Sequence, residues 1–258
     1  MAAQSFVGTS FKLPIYTSNV NAIGPLNILE SIRNNDLNIK FYQASTSEMF
    51  GNVDSYPQNE KTSFYPRSPY GVSKLFAHWS TINYRESYDI FACSGIAFNH
   101  ESPLRGDEFV TKKIIQSFNN IYNGNQEFIE LGNLYSKRDW GFAGDYVEAM
   151  WMMLNNSSPN DYVISTGQTY SIKDFIEKAS KYFDFNIIWE GEGINEIGIN
   201  KKNNKTIIKI SNELYRPAEV DCLLGDSSKI KNDLGWIPKT DINQLVEIMC
   251  NYELKGEI

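Results

Sequence analysis

The segment at residues 66–74 places a phenol and an ammonium group one helical turn apart. It reads PRSPYGVSK, in which Tyr70 and Lys74 are separated by four positions. On a helix, residues with this spacing share a face, and a cation there lowers the pKa of a phenol from its reference value of about 10. The pair predicts a general base for a sugar or alcohol hydroxyl. Alone it is a weak signal, because about one such spacing is expected by chance among 15 tyrosines.

A second polar segment follows a predicted strand. Residues 40–46 (KFYQAST) are typical of a short strand, and STSEMFG carries the chain into a turn. Ligands of parallel sheets bind at the carboxyl ends of strands. Thr46 offers a neutral donor at that end and Glu48 a carboxylate. The alternative for this segment alone is a simple turn with a solvated charge.

Basic residues follow the next predicted strand. The run IFACSGIAFN at 90–99 is almost entirely apolar, as in a strand buried on both faces. Four basic side chains come soon after it: His100, Arg105, Lys112 and Lys113. Arginine and lysine at such a position suit phosphate oxygens. The alternative is an exposed loop that leads into a helix.

Helices and strands alternate around these segments. A helix is predicted at 19–34 and another at 70–87, after Ser68 and Pro69, with the strands 40–46 and 90–99 between and after them. This order requires crossover connections and predicts a parallel sheet. In the rest of the chain the order of predicted helices and strands is less regular. Further helices are expected near 109–124, 145–155, 171–183, 228–234 and 241–252, strands near 128–132 and 162–166, and a polar loop that enters a strand at 200–211.

Composition limits the function classes. The chain has 258 residues, a net charge of -7 and a pI of about 5.0, which argues against nucleic-acid and polybasic membrane surfaces. The three cysteines, at positions 93, 222 and 250, show no CxxC spacing. This pattern predicts free thiols in a reducing compartment. With two histidines, a metal site is not expected. No apolar run approaches the ~18 residues of a membrane helix, and the first residues lack signal-peptide features. A cytoplasmic protein is expected.

Six segments in order resemble the GDP-mannose 4,6-dehydratase family of extended short-chain dehydrogenases/reductases. They are AAQS, FYQASTSEMFG, FYPRSPYGVSK, FNHESPLRG with FVTKKI, LGNLYSKRDWG and YRPAEVD. The resemblance extends to about residue 252; Tyr-x3-Lys marks only the superfamily, whereas FNHESP and RDWG are more specific. It implies an α/β fold, with an N-terminally truncated Rossmann-like parallel sheet and a smaller mixed α/β substrate-binding lobe. Residues 1–102 would form a partial NADP-binding domain, onto which a helix near 139–156 packs, and residues 103–258 mainly the GDP-sugar lobe.

The resemblance also implies a reaction without net redox change. NADP takes a hydride from C4 of the hexose of GDP-mannose while Tyr70 removes the hydroxyl proton. Lys74 would hold the nicotinamide ribose and depress the pKa of Tyr70, and Thr46 would hydrogen-bond the C4 oxygen. Glu48 would remove the C5 proton and assist the loss of the C6 hydroxyl as water. Return of the hydride to C6 gives GDP-4-keto-6-deoxy-mannose.

Further binding residues are implied by the same matching. The cofactor would contact Ala2, Ala3, Gln4, Ser5, Tyr16, Lys74, His100 and Arg105. The GDP-sugar would contact Asn99, Val110, Lys113, Gly132, Asn133, Lys137, Arg138, Arg216 and Glu219. In the family the helix that bears Tyr70 and Lys74 packs against its copy, so a homo-oligomer, a dimer or tetramer, is expected.

The family pattern is incomplete in this sequence. Family members open with a GxxGxxG turn and two or three βα units before AAQS, whereas here Met1 falls where that segment begins, and none of the 17 glycines forms such a cluster. That turn places backbone N–H groups against the cofactor pyrophosphate. Little turnover with NADP is therefore expected of these residues alone. Phe6 also stands where a histidine is usual, and Leu104 replaces the first of two arginines.

Three hypotheses follow. The first is a GDP-mannose 4,6-dehydratase whose N-terminal portion lies outside this reading frame. The second is a non-catalytic remnant that binds GDP-sugars or partner subunits. The third is another nucleotide-sugar dehydratase or epimerase, against which the Thr46–Glu48 pair argues because epimerases often lack it.

Overall fold

The computed structural model describes residues 3–35, 38–53, 55–215 and 218–256. Its helices are α1 (Val7–Lys12), α2 (Pro14–Ser18), α3 (Gly24–Asn34), α4 (Pro69–Tyr88), α5 (Val110–Tyr122), α6 (Ala143–Leu154), α7 (Ile172–Ser180), α8 (Ser228–Leu234) and α9 (Ile242–Lys255). Its strands are β1 (Phe41–Thr46), β2 (Ala92–Ala97), β3 (Asn99–Glu101), β4 (Ile129–Leu131), β5 (Lys137–Arg138), β6 (Trp140–Phe142), β7 (Asp161–Ile164), β8 (Tyr170–Ser171), β9 (Ile187–Glu190), β10 (Ile197–Asn200) and β11 (Lys205–Ile210).

The chain forms two compact units. The first comprises residues 1–100, 139–169 and 222–239, and the second comprises 101–138, 170–221 and 240–258. From the sequence, residues 103–258 were expected to form mainly the GDP-sugar lobe; within that range, residues 222–239 lie in the first unit. The reason for the difference is packing: α8 contacts β7, and Trp236 lies in one apolar cluster with Tyr162.

A parallel three-stranded sheet organises the first unit. The strand order is β1-β2-β7, with Thr46 opposite Ala97 and Ile96 opposite Val163. Helix α4 packs on β1 and β2, and α6 packs on β2. The predicted Rossmann-like parallel sheet is therefore confirmed, and β1 and α4 agree closely with the predicted strand 40–46 and helix 70–87.

Polar contacts tie the start of β7 to helix α4 in this unit. The Arg85 guanidinium forms a two-point ion pair with the Asp161 carboxylate, at 3.0 and 2.6 Å. Asp161 also accepts the backbone N–H of Ser94 at 2.9 Å. These bonds join α4 to the start of β7 and to β2, and so hold α4 in its position along the sheet.

The second unit is a mixed α/β lobe, as predicted. Its sheet has the order β4-β11-β10-β9, in which β4 and β11 are parallel and the remaining pairs antiparallel. A two-stranded pair is formed by β5 and β8, and α5, α7 and α9 pack together. Strands β9 and β10 were not predicted from the sequence. None of the helices in the described ranges has both the length and the apolar character needed to cross a bilayer.

Candidate active site

Tyr70 and Lys74 lie in the first two turns of α4. The helix begins at Pro69, and the Ser68 hydroxyl caps it by accepting the Gly71 N–H at 3.0 Å. Both side chains are buried, and the Lys74 Nζ lies 5.9 Å from the centroid of the Tyr70 ring. A serine cap and a proline in the first turn favour a helix start at this position. The local sequence thus sets the spacing on which the pair depends.

Thr46 and Glu48 lie in a tight turn directly after β1. The Thr46 Oγ1 accepts the backbone N–H of Glu48 at 3.2 Å and caps a short 3-10 turn over Ser47–Met49. Both side chains are buried. The turn contacts α4 so closely that a Cβ added to Gly71 would lie 2.7 Å from the Glu48 carbonyl oxygen. The structure therefore brings together the turn that bears Thr46 and Glu48 and the helix that bears Tyr70 and Lys74.

Burial controls the charge of Lys74. Its ammonium donates to the Ala44 carbonyl at 3.1 Å, and Gln43 Nε2 donates to the same oxygen at 3.2 Å. Loss of hydration lowers the pKa of Lys74 to about 8. The group is therefore mostly protonated at pH 7, and it lies near the carboxyl end of β1.

His78 extends this face of α4 by one more turn. Its Nδ1 lies 3.0 Å from the Ser45 hydroxyl, its ring packs edge-on against Phe64, and burial lowers its pKa. In the sequence, this histidine was counted only in the argument against a metal site. Its position four residues after Lys74 was the available signal. His78 thus joins α4 to β1 at Ser45, the residue before Thr46.

Asn21 is a second residue that sequence reasoning missed. It lies in a π-helical turn at Asn19–Ile23, and its side-chain amide pairs with both backbone groups of Gln4, at 3.0 and 2.8 Å. This pairing fixes the residues that precede α1. Ala3, Gln4, Ser5 and Tyr16, the predicted cofactor contacts there, all lie in the first unit, and their contact with a cofactor stays a prediction. Ala2 lies outside the described residues.

The other predicted cofactor residues follow β2. His100 donates from Nδ1 to the Phe98 carbonyl at 2.9 Å, and its ring stacks on Tyr146 with centroids 5.0 Å apart. Arg105, in the second unit, pairs with Glu101 at 3.1 Å and lies over the Phe109 ring. Their roles toward a cofactor stay predictions.

Several predicted substrate residues lie near the carboxyl ends of β4 and β11. Gly132 follows β4, and a Cβ added there would lie 2.7 Å from the Leu214 carbonyl oxygen, which follows β11. Lys113 reaches toward β4 from α5, where it donates to the Glu130 carbonyl at 2.8 Å, and burial lowers its pKa. Asn133 and Val110 occupy the loop after β4 and the first position of α5. Carboxyl ends of parallel strands are a usual place for ligands.

Arg138 and Glu219 form an ion pair in the second unit. Arg138 is buried, donates to the Val220 carbonyl at 2.7 Å and contacts Glu219 Oε1 at 3.1 Å. Lys137 is exposed beside it. Asn99 lies in β3, in the first unit, and Arg216 lies outside the described residues. Contact of these residues with a GDP-sugar stays a prediction.

Comparison of the sequence with known proteins identifies the family to which it is similar. The sequence model of the family described as GDP-mannose 4,6 dehydratase matches residues 1–249. A Drosophila melanogaster protein named GDP-mannose 4,6 dehydratase is 51% identical over 257 residues, covering 99% of this chain and 65% of that protein. A Homo sapiens protein of the same name is 48% identical, with 99% and 69% covered, and one from Sinorhizobium fredii is 49% identical, with 98% and 73% covered. The chain thus spans about two thirds of the length of these relatives.

Solved structures support the fold. RMD from Pseudomonas aeruginosa, complexed with NADPH, matches with a TM-score of 0.82 at 21% identity, covering 100% of this chain and 80% of that one. DesIV, a dTDP-glucose 4,6-dehydratase from Streptomyces venezuelae with NAD and TYD bound, matches with a TM-score of 0.82 at 18% identity, covering 99% and 72%. At these identities the likeness concerns the fold alone.

Proposed function

The chain belongs to the GDP-mannose 4,6-dehydratase family, and on this premise we propose that it converts GDP-mannose to GDP-4-keto-6-deoxy-mannose with NADP as cofactor. The observation that supports this proposal is the close approach of the Thr46–Glu48 turn to the start of α4, which bears Tyr70 and Lys74. A base, a cation, a hydroxyl and a carboxylate at one place can serve the proton transfers of a dehydration.

The residues present fit the nicotinamide-ribose end of the cofactor. Within the described part of the chain, the buried Lys74 ammonium donates one hydrogen bond, to Ala44. Its remaining N–H groups suit the ribose hydroxyls. A glycine-rich turn that would hold the pyrophosphate is not among the described residues. When bound, NADP would supply the hydride acceptor for C4 and the hydride donor for C6.

Each catalytic side chain has a defined proton task. Tyr70 takes the proton of the C4 hydroxyl, since the nearby Lys74 ammonium favours the phenolate. Thr46 donates a hydrogen bond to the C4 oxygen. Glu48 removes the proton from C5, which the C4 ketone has acidified, and returns it to the departing C6 hydroxyl. Once C6 has regained the hydride, C5 takes up a proton, which balances the one that Tyr70 gained from the C4 hydroxyl. The sugar therefore loses one water, and the protein regains its starting protonation.

Turnover is tested on two samples. The first is the 258-residue chain, and the second, the glycine-rich fusion, has the GxxGxxG segment of a family member placed before it. Both are incubated with GDP-mannose and NADP, and loss of one water from the nucleotide sugar is followed by mass spectrometry. We expect product from the fusion and little from the chain alone, because the turn that holds the pyrophosphate is supplied only in the fusion. Clear turnover by the chain alone would contradict the expectation that it forms little product. A fusion that is folded but inactive would contradict the proposed function.

The proposal includes a homodimer formed through α4. Val72, Phe76 and Trp79 are exposed at spacings of four and three residues and so share one face of that helix. A row of exposed apolar side chains is typical of a contact with another protein surface. A cytoplasmic location is also part of the proposal, supported by free cysteines at 93, 222 and 250.

A Phe76→Glu variant should dissociate this dimer. A charge at the centre of an apolar contact is left without a partner, so we expect the association constant to fall about 30-fold or more. Sedimentation equilibrium measures this constant. Trp151→Glu, at an exposed apolar position on α6, is the matched control and should leave association unchanged. If the association constant of Phe76→Glu stays as high as that of Trp151→Glu, α4 is not the interface.

A further inference from the structure

Tyr135 carries an aromatic ring that is exposed and yet fixed. The residue is 57% exposed. Its backbone N–H donates to Asn133 Oδ1 at 2.9 Å, and its hydroxyl donates to Glu196, whose two carboxylate oxygens both lie 2.9 Å from the phenol oxygen. The Lys173 ammonium lies 5.4 Å from the centroid of the ring. The ring is therefore held from the inside while much of its surface faces solvent.

The anchor of this ring is a buried carboxylate. Glu196 is 3% exposed, and Lys173 pairs with it at 2.7 Å. A buried carboxylate requires such partners, because removing it from water without them is strongly unfavourable. The Lys173 ammonium also lies 4.5 Å from the centroid of Trp189, which fixes it in turn. A surface ring anchored in this way loses little side-chain freedom on binding a ligand.

The ring lies within the loop of the predicted substrate residues. Along residues 134–138 burial alternates, so that Tyr135 and Lys137 are exposed while Leu134, Ser136 and Arg138 are buried. The aromatic ring and the Lys137 ammonium are thus the two exposed groups between Gly132 and the buried Arg138. They follow β4, whose carboxyl end lies beside that of β11. An aromatic face next to a cation is a suitable arrangement for a base and its phosphates.

We propose that the exposed face of Tyr135 stacks on the purine base of a guanosine diphosphate group, with Lys137 beside it toward the phosphates. The inference rests on the proposed function and adds a binding residue that neither the motifs nor the family resemblance assigned. Stacking accounts for an exposed ring that is anchored through a buried ion pair. Tyr135 takes no part in the proton transfers; it contributes to affinity for the nucleotide.

The test compares GDP with inorganic pyrophosphate by isothermal titration calorimetry on the 258-residue chain. Tyr135→Leu keeps a side chain of moderate size but removes the aromatic face, so the GDP dissociation constant should rise about 5- to 100-fold. Pyrophosphate, which has no base, should bind the variant and the original chain equally. Tyr135→Phe keeps the face and loses only the anchor, and it should lose less affinity than Tyr135→Leu. Tyr122→Leu is the matched control, because Tyr122 is also 57% exposed and lies in the same unit.

The outcomes of this test separate the stacking role of Tyr135 from the proposed function. Unchanged GDP affinity in Tyr135→Leu, or an equal loss for pyrophosphate, overturns the stacking role and leaves the proposed function in place. A chain that binds no GDP at all contradicts both. Thermal unfolding checks that the variants fold. If Tyr135→Leu does not fold, the unchanged chain decides by NMR: stacking shifts the guanine H8 resonance upfield on binding, and the absence of that shift overturns the proposal.

Discussion

A Tyr70→Phe variant of the glycine-rich fusion should lose about 10²- to 10⁴-fold in the rate of GDP-mannose turnover, the range that a positioned general base contributes. The substitution removes the phenol oxygen and keeps the ring, which is 8% exposed in its position on α4. Packing is therefore preserved, while no group remains to take the C4 hydroxyl proton. Mass-spectrometric detection of the dehydrated product measures the rate. Affinity for GDP should stay the same, because the predicted GDP residues are other side chains.

The control for this variant is Tyr84→Phe. Tyr84 lies on the same helix, is 9% exposed, and donates its hydroxyl to Glu30, so it matches Tyr70 in burial and in secondary structure. We expect Tyr84→Phe to turn over substrate at the original rate. A Tyr70→Phe protein as active as Tyr84→Phe would refute the assignment of the base. An inactive but folded Tyr84→Phe protein would show that the assay responds to helix packing and not to the phenol.

The elements that carry the site were accessible from the sequence. The helix start at 69 is signalled by Ser68 and Pro69, and the structure shows the serine cap. Strand β1 ends at Thr46, where the hydroxyl residues of STSE predicted a strand end. What the sequence did not contain is the distance between them. The approach of the Glu48 carbonyl to Gly71 depends on how α4 packs across β1 and β2, and this is a tertiary contact.

Three features of the structure were not predicted from the sequence, for physical reasons. Strands β9 and β10 have four residues each, and β10 is interrupted by a bulge at Gly198/Ile199, so neither shows a long alternation of apolar and polar residues. That residues 222–239 lie in the first unit was not indicated by the sequence, because Trp236 packs with residues that are distant in sequence. Asn21 was missed because a buried asparagine in a helix has no signal apart from its partner, the Gln4 backbone. In the last two cases long-range packing decided the structure.

Replacing Lys74 by methionine should make the protein more stable at neutral pH while removing its activity. Burial lowers the pKa of this lysine from 10.5 to about 8 in the folded state. Below pH 8 both folded and unfolded states carry the charge, so the full desolvation penalty opposes folding. Methionine has a similar length and no charge, and Gln43 still donates to the Ala44 carbonyl. We expect the free energy of unfolding at pH 7 to rise by about 1–3 kcal/mol.

The pH dependence of this gain identifies its cause. Between about pH 8 and 10.5 the folded protein releases the Lys74 proton while the unfolded chain keeps it, so the original protein gains stability with rising pH. The advantage of Lys74→Met should therefore shrink toward zero across this window. Urea unfolding at several pH values measures it, with Lys12→Met, at an exposed lysine of α1, as the control without a gain. A Lys74→Met protein that is less stable at pH 7, or an advantage that does not change with pH, would contradict the burial argument. If the fusion carrying Lys74→Met retained turnover, the catalytic role of Lys74 would be contradicted, since the charge that favours the Tyr70 phenolate would then be dispensable.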